Sequence, residues 1–136
     1  MAWFEDTTLY VQIYVNRFVL QNSKQDGVVE KAGDFSHPRM LIGHFEAAAS
    51  TLKQGGVGLG SLLSARPRII MHPKERVDGG LTDIELRVLQ ELGMTAGGRQ
   101  VVVWQGPDLD RTQFSQLPFP KPGARSLQAL TPADLP

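Results

Sequence analysis

The chain has 136 residues, enough for one domain with a hydrophobic core of its own. Hydrophobic residues make up 41% and charged residues 21%, which is the usage of an ordinary globular protein. The 14 basic residues balance 14 acidic ones, so the chain lacks the basic excess that usually accompanies nucleic-acid binding. The absence of cysteine excludes disulfides, thiol nucleophiles and cysteine-based zinc sites.

The start of the chain carries no basic n-region and no long apolar run. We therefore expect no signal peptide. Every apolar stretch is far shorter than the roughly 20 residues of a membrane helix. Together with the lack of cysteine, these features favour a cytoplasmic protein without a membrane span.

The first third of the chain predicts a β-hairpin followed by a third strand. Residues 9–15 are almost all β-branched, aromatic or Leu, which is typical of a strand. Asn16 and Arg17 interrupt the run as a turn, and residues 18–22 resume as a second strand. After a polar turn at residues 23–27, residues 28–32 predict a third strand.

A first helix is predicted from His44 to Gln54, after a break at His37-Pro38. Glycine tolerates the left-handed backbone beyond a helix end, so Gly55-Gly56 is expected to end it. The helical spacing i, i+3, i+4 and i+7 is met by apolar Phe45, Ala48, Ala49 and Leu52.

A strand–helix–strand unit follows. Residues 69–71 predict a strand that Pro73 limits, and Thr82 with Glu85 matches a capping box that starts a helix. After Gly97-Gly98, residues 101–104 form a continuous apolar run, typical of a central strand covered on both faces. The apolar stripe of this helix is expected at Ile84, Val88, Leu89 and Leu92.

The composition changes beyond Pro107. Six of the nine prolines lie from Pro107 onward, and no helical or strand period is evident there. We therefore predict a domain over residues 1–107 and an extended or disordered tail over residues 108–136. The tail is either solvated or docks on another surface as an extended peptide, through Phe114 and Phe119 with Pro118, Pro120 and Pro122.

These elements predict an α/β fold. Its mixed sheet would hold an N-terminal antiparallel hairpin followed by parallel βαβ units, with helices packed on the sheet.

Several groups of residues invite a chemical role, and each has a structural alternative. The spacings of His37, His44 and His72 match no metal motif, so surface or capping roles are favoured. The glycine-rich stretch 55–61 has a helix before it and a strand after it, the reverse of a phosphate loop, so a linker is favoured.

Charged and hydroxyl residues give equally weak signals. One basic group could meet an acidic partner, although a solvated rim is the simpler interpretation; it consists of Arg66, Arg68, Lys74 and Arg76. Nothing in the sequence brings together the candidate carboxylates, which are Asp108, Asp110 and Glu46. The candidate nucleophiles Ser61 and Ser64 do not lie in a nucleophile-elbow motif.

Three blocks resemble the first subdomain of the actin-like ATPase fold, and in particular the bacterial actin homologues of the MreB family. Residues 8–14 lie where that family has its first strand and phosphate loop, and residues 38–52 are similar to the segment leading into its first helix. The strongest likeness is in residues 66–107, where strand, proline, capped helix, Gly-Gly turn and final strand follow in the same order.

The same resemblance implies that the nucleotide site is lost. The family's first strand carries an Asp followed by Leu-Gly-Thr that hold metal and phosphate; here the stretch runs from Gln12 to Val15. An Asp before the helical Phe is replaced by His44. Paired glutamates before a proline are replaced by Gln105 and Gly106.

We therefore expect a non-catalytic interaction module without catalytic, cofactor-binding or metal-binding residues. It would act through a protein partner or a homo-oligomer, without nucleic acid or a small-molecule substrate, and a link to the bacterial cytoskeleton or cell shape follows by analogy. A sheet or helix face that the family's second half would cover is expected to form the contact. Two alternatives stay open: a small nucleotide-binding protein or enzyme with a rebuilt site, and an unrelated α/β adaptor.

Overall fold

The computed structural model describes residues 7–58, 66–119 and 129–136. Within these ranges five strands form one sheet, three α-helices accompany it, and a short 3-10 turn spans Pro132–Asp134. The order along the chain is β1 (Thr8–Tyr14), β2 (Arg17–Asn22), β3 (Val28–Ala32), α1 (Phe45–Val57), β4 (Arg68–Pro73), α2 (Asp83–Thr95), β5 (Gln100–Val103) and α3 (Arg111–Ser115).

The strand order across the sheet is β3-β2-β1-β4-β5. The β1–β2 and β2–β3 pairs are antiparallel, whereas β1–β4 and β4–β5 are parallel. This confirms the predicted α/β fold class, a mixed sheet with an N-terminal antiparallel hairpin followed by parallel units. Because β1, β4 and β5 point the same way, their carboxyl ends meet at one edge of the sheet.

Asn16 makes the hairpin turn that the sequence predicts. Its backbone is left-handed, with φ of 54°, a conformation that Asn tolerates better than most residues. The side-chain oxygen of Asn16 accepts hydrogen bonds from the backbone N–H groups of Phe35 (2.9 Å) and Ser36 (2.8 Å). The turn therefore also fixes the segment that follows β3.

One face of the sheet carries the larger hydrophobic core, under α1 and α2. Alternate residues of a strand point to the same face, which is why odd-numbered residues of β1 and β4 lie together there. Its fully buried sheet residues are Leu9, Val11, Ile13, Phe18, Leu20, Ile69, Met71 and Val103, and the helices add Ala48, Leu52, Leu86, Leu89 and Leu92.

Helix α1 runs three residues past its predicted end, because Gly55 and Gly56 lie inside it rather than beyond it. Both glycines are buried. A Cβ on Gly55 would come within 3.0 Å of Leu20 Cδ1. The glycines thus serve close packing of the helix on β2 and do not act as a stop signal.

The capping box of α2 forms as predicted. The Thr82 hydroxyl accepts from the Glu85 N–H at 3.2 Å, and the Glu85 carboxylate accepts from the Thr82 N–H at 2.9 Å. The predicted apolar stripe is wrong at its first position, since Ile84 is 70% exposed and Leu86 is buried instead. Ile84 lies in the first turn, on the side of the helix that faces away from the sheet.

Thr82→Ala is expected to lower the free energy of unfolding by about 1 kcal/mol, because it leaves the first turn of α2 without its side-chain acceptor. Denaturant unfolding followed by circular dichroism measures the loss. Thr112→Ala, at an exposed site in α3, is the matched control and should change stability by less than about 0.5 kcal/mol. Equal effects of the two substitutions would contradict the capping role.

A second core covers the other face of β1, β4 and β5, and it corrects the prediction of an extended or disordered tail. Asp110 and Gln113 form a capping box that starts α3. The segment beyond Pro107 then packs on the sheet through Leu109, Phe114 and Leu117. The sheet side of this core consists of Tyr10, Ile70, Val102 and Trp104.

Strand β5 is covered on both faces, as its apolar run predicts, but it lies at an edge of the sheet and not at its centre. The last described segment protects that edge. Leu130 forms a parallel bridge with Trp104, accepting from the Gln105 N–H and donating to the Val103 carbonyl, each at 2.8 Å. The C-terminal residues therefore belong to the folded unit, so a boundary at residue 107 does not separate the fold from a tail.

Candidate functional site: the carboxyl edge of the sheet

The stretch from Gln12 to Val15 and the residues Gln105 and Gly106 lie at the carboxyl edge of the parallel strands, where open α/β sheets bind their ligands. In this protein the edge holds two hydrogen-bonded groups of residues. We call them together the carboxyl-edge network: Tyr10, Gln12, His72, Lys74, Gly106 and Asp108.

Tyr10 and His72 form the buried half of the network, with 0% and 2% of their surfaces exposed. The Tyr10 hydroxyl lies 2.5 Å from His72 Nδ1, and His72 Nε2 lies 2.9 Å from the Gly106 carbonyl oxygen. The carbonyl can only accept, so Nε2 carries the proton and Nδ1 accepts from the tyrosine hydroxyl. The Tyr10 oxygen in turn accepts from the Leu109 N–H at 3.2 Å.

This chain of hydrogen bonds is complete only with a neutral histidine. Burial lowers the pKa of His72 to about 4, and the positive charge of Lys74 acts in the same direction. Burial raises the pKa of Tyr10 to about 12. Both groups are therefore uncharged at neutral pH, and they bind the start of the C-terminal segment to β1 and β4.

Gln12, Lys74 and Asp108 form the outer half of the network. Asp108 Oδ1 accepts from Gln12 Nε2 at 2.9 Å and from the Lys74 ammonium group. The hydrogen bond from Lys74 lowers the pKa of Asp108, and the lysine's charge adds to the effect. Gln12 and Lys74 are thus both bonded to the same carboxylate of their own chain.

One small cavity lies at the end of β4, and none of its lining residues belongs to the carboxyl-edge network. The cavity next to the end of β4, lined by Pro73, Arg76 and Leu81 among others, holds about 20 Å³, close to the space of a single water. Small-molecule sites typically occupy roughly 300–1,000 Å³. Among the described residues, no group of three or more His, Cys, Asp or Glu side chains is placed to hold a metal ion.

The three histidines do not converge. His37 and His44 lie with ring centroids 6.5 Å apart, and His44 is exposed at the N-terminal cap of α1. His72, in contrast, is buried inside the carboxyl-edge network. The prediction of surface or capping roles therefore holds for His44 and is wrong for His72.

The predicted basic cluster is divided between the two ends of β4. At one end Arg66 is exposed, and the Arg68 guanidinium lies 5.0 Å from the centroid of the Phe119 ring. At the other end Lys74 bonds to Asp108, and Arg76 donates to the His37 carbonyl. A strand of six residues separates the two pairs by about 20 Å, so they form no common patch.

The candidate carboxylates are likewise kept apart. Asp108 belongs to the carboxyl-edge network and Asp110 caps α3, whereas Glu46 lies in α1 across the sheet. Phe114 of the predicted docking peptide is buried in its own chain's second core. Ser61, Ser64, Pro120 and Pro122, with the end of the glycine-rich stretch, lie outside the described residues.

The sequence carried two signals for the parts that were missed. Asp110 and Gln113, three residues apart and followed by Phe114, match a capping box before an apolar residue. The continuous apolar runs of β1 and β5 indicate burial on both faces, which requires a cover for each face. In the structure both helices lie on one face, and the segment beyond residue 107 supplies the second cover.

A scan against protein-family models and searches of curated proteins and solved structures find no match. The class that the structure defines is a small α/β fold with a five-stranded mixed sheet. No helix among the described residues has the length and apolar character to cross a bilayer.

Proposed function

We propose that this protein is a non-catalytic interaction module built on an actin-like ATPase subdomain that has lost nucleotide chemistry. The observation that carries the proposal is the carboxyl-edge network. Gln12 and Lys74, at the edge where phosphates would lie, are both bonded to Asp108. A ligand there would have to break these bonds and displace the start of the C-terminal segment.

The strand arrangement supports the actin-like part of the proposal. That hypothesis requires the strand of Ile69 to pair in parallel with the strand of Val101, beside an antiparallel hairpin, and these pairings are present. An unrelated α/β adaptor could share the arrangement, since a fold alone does not assign function. The proposed link to the bacterial cytoskeleton or cell shape, and the cytoplasmic location, depend on the resemblance and on the cysteine-free composition.

The alternative is a nucleotide-binding protein or enzyme with a rebuilt site. The raised pKa of Tyr10 and the lowered pKa of His72 support this alternative, because shifted pKa values are common at functional sites. Burial weighs against it. Groups with 0% and 2% exposure, each already paired, cannot reach a substrate without unpacking the second core.

Isothermal titration with ATP and magnesium tests the proposal. We expect no saturable heat at nucleotide concentrations up to about 1 mM, the weak end of the ordinary affinity scale. Lys74→Ala supplies the matched variant, because it removes one of the two side-chain bonds to Asp108 without touching either hydrophobic core. Saturable binding below about 1 mM that Lys74→Ala weakens would favour the rebuilt site and contradict the proposal.

A further inference from the structure

The side of α1 that faces away from the sheet has no cover among the described residues. We call it the α1 outer face: exposed Glu46, Ser50, Lys53 and Val57, bordered by half-buried Phe45. These residues line an open cleft of about 530 Å³ together with buried Ala49, with Gln54 and with Thr95 at the end of α2. Val57 is 66% exposed although it is a large apolar residue.

The charges of this face complement a second copy of the same face. Glu46 and Lys53 are exposed, lie on one line along the helix two turns apart, and form no ion pair with the described residues. Two copies of α1 packed antiparallel about a two-fold axis would set each Glu46 against the Lys53 of the other copy. A two-fold interface has this reciprocity by construction.

The residues at the centre and ends of the face fit the same arrangement. The midpoint between Glu46 and Lys53 falls next to exposed Ser50, whose small side chain lets two helices approach closely, while Ala49 on its other side is buried in its own chain's core. Val57 at one end then lies within about one turn of the other copy's Phe45, which is partly buried in its own chain. In such a dimer the two Glu46–Lys53 pairs would lie on either side of the centre of the interface, and the contacts between Val57 and Phe45 would lie at its two ends.

We propose that the α1 outer face is a homodimer interface in which α1 packs antiparallel against α1 of a second copy. The inference rests on the proposed function as an interaction module and names its partner. A helix of 13 residues is about 20 Å long, so the interface is small and the dissociation constant should lie in the micromolar range or weaker.

Sedimentation equilibrium of the full chain at low salt, from about 10 µM to 1 mM, tests the interface. We expect a monomer–dimer equilibrium that Glu46→Lys or Lys53→Glu weakens by about tenfold or more, because the two-fold axis doubles the effect of each charge. Lys24→Glu, an exposed charge change in the β2–β3 turn, is the control and should leave the dissociation constant unchanged.

Mixing the two single variants gives the decisive readout. A heterodimer of the Glu46→Lys and Lys53→Glu chains regains two opposite-charge pairs, so the mixture should dimerise more tightly than either variant alone. The double variant carrying both changes should also recover dimerisation. Circular dichroism checks that Glu46→Lys, which puts a positive charge in the first turn of α1, stays folded.

A monomer at every concentration would overturn the inference and would leave the cleft to a different protein. A dimer that ignores both charge reversals, or single variants that do not recover on mixing, would overturn it as well. None of these results bears on nucleotide binding. The proposed function fails only if the titration with ATP and magnesium finds a site.

Discussion

Phe114→Ala is expected to lower the free energy of unfolding by about 3 to 5 kcal/mol, as large aromatic truncations in well-packed cores do. The ring is fully buried, and its centroid lies 5.1 Å from that of Tyr10. Removing it leaves a cavity between α3 and the sheet, in the core that also holds Tyr10 and Ile70. Urea unfolding monitored by tryptophan fluorescence measures the change, since Trp104 lies in the same core.

Gln116→Ala is the control. Gln116 is exposed at the C-terminal cap of α3, two positions after Phe114, and its substitution should change stability by less than about 0.5 kcal/mol. A loss below about 1 kcal/mol for Phe114→Ala would mean that the segment beyond residue 107 contributes little to the fold. The second core would then be marginal, and the sheet face over β1, β4 and β5 would be open to other partners.

Stability is expected to fall as the pH drops from about 6.5 to about 4. The folded state holds His72 neutral with a lowered pKa, whereas the unfolded chain protonates it near its ordinary value. Between the two values the unfolded state binds more protons, so acid favours unfolding. The shift corresponds to a loss of up to about 3 kcal/mol across this window, at about 1.4 kcal/mol per pKa unit.

His72→Gln should remove this slope while lowering stability at neutral pH, because glutamine does not titrate. His44→Gln, which changes an exposed histidine, should keep it. The other charged groups facing His72 are Lys74 and Asp108. The hydrogen bond from Lys74 lowers the pKa of Asp108, which places the contribution of Asp108 below this window. An unchanged slope in His72→Gln would contradict the assignment.

At alkaline pH the stability of the fold depends on Tyr10, again because the pKa of the group differs between the folded and unfolded states. Its pKa is raised to about 12 in the folded state, so the unfolded chain loses this proton first as the pH rises above 10. Stability is therefore expected to fall again from pH 10 to about 12. Measurement of the urea midpoint across this range checks the sign.

The local signals of the sequence predicted the first core well. The Asn16 turn, the Thr82 capping box and the strand runs each depend on residues close together in the chain, so pattern and propensity sufficed. The position of β5 at the edge could not be predicted from its apolar run, because burial on both faces does not distinguish a central strand from an edge strand that other segments cover.

The second core and the carboxyl-edge network were missed for a different reason. Leu109, Phe114 and Leu117 follow no strand or helix period, and the prolines around them are typical of an extended segment. The Tyr10–His72 contact joins residues 62 positions apart, and the bond from Gln12 to Asp108 joins residues 96 apart. Such contacts depend on the tertiary fold, which no local pattern encodes.

The most direct test of the account is a nuclear magnetic resonance titration with ATP and magnesium that follows the side-chain amide of Gln12 and the backbone amide of Tyr14. We expect neither signal to move in a saturable way up to about 1 mM nucleotide, because Asp108 and the C-terminal segment already occupy this edge. Saturable shifts at both positions would contradict the account and would place a phosphate site at the carboxyl edge.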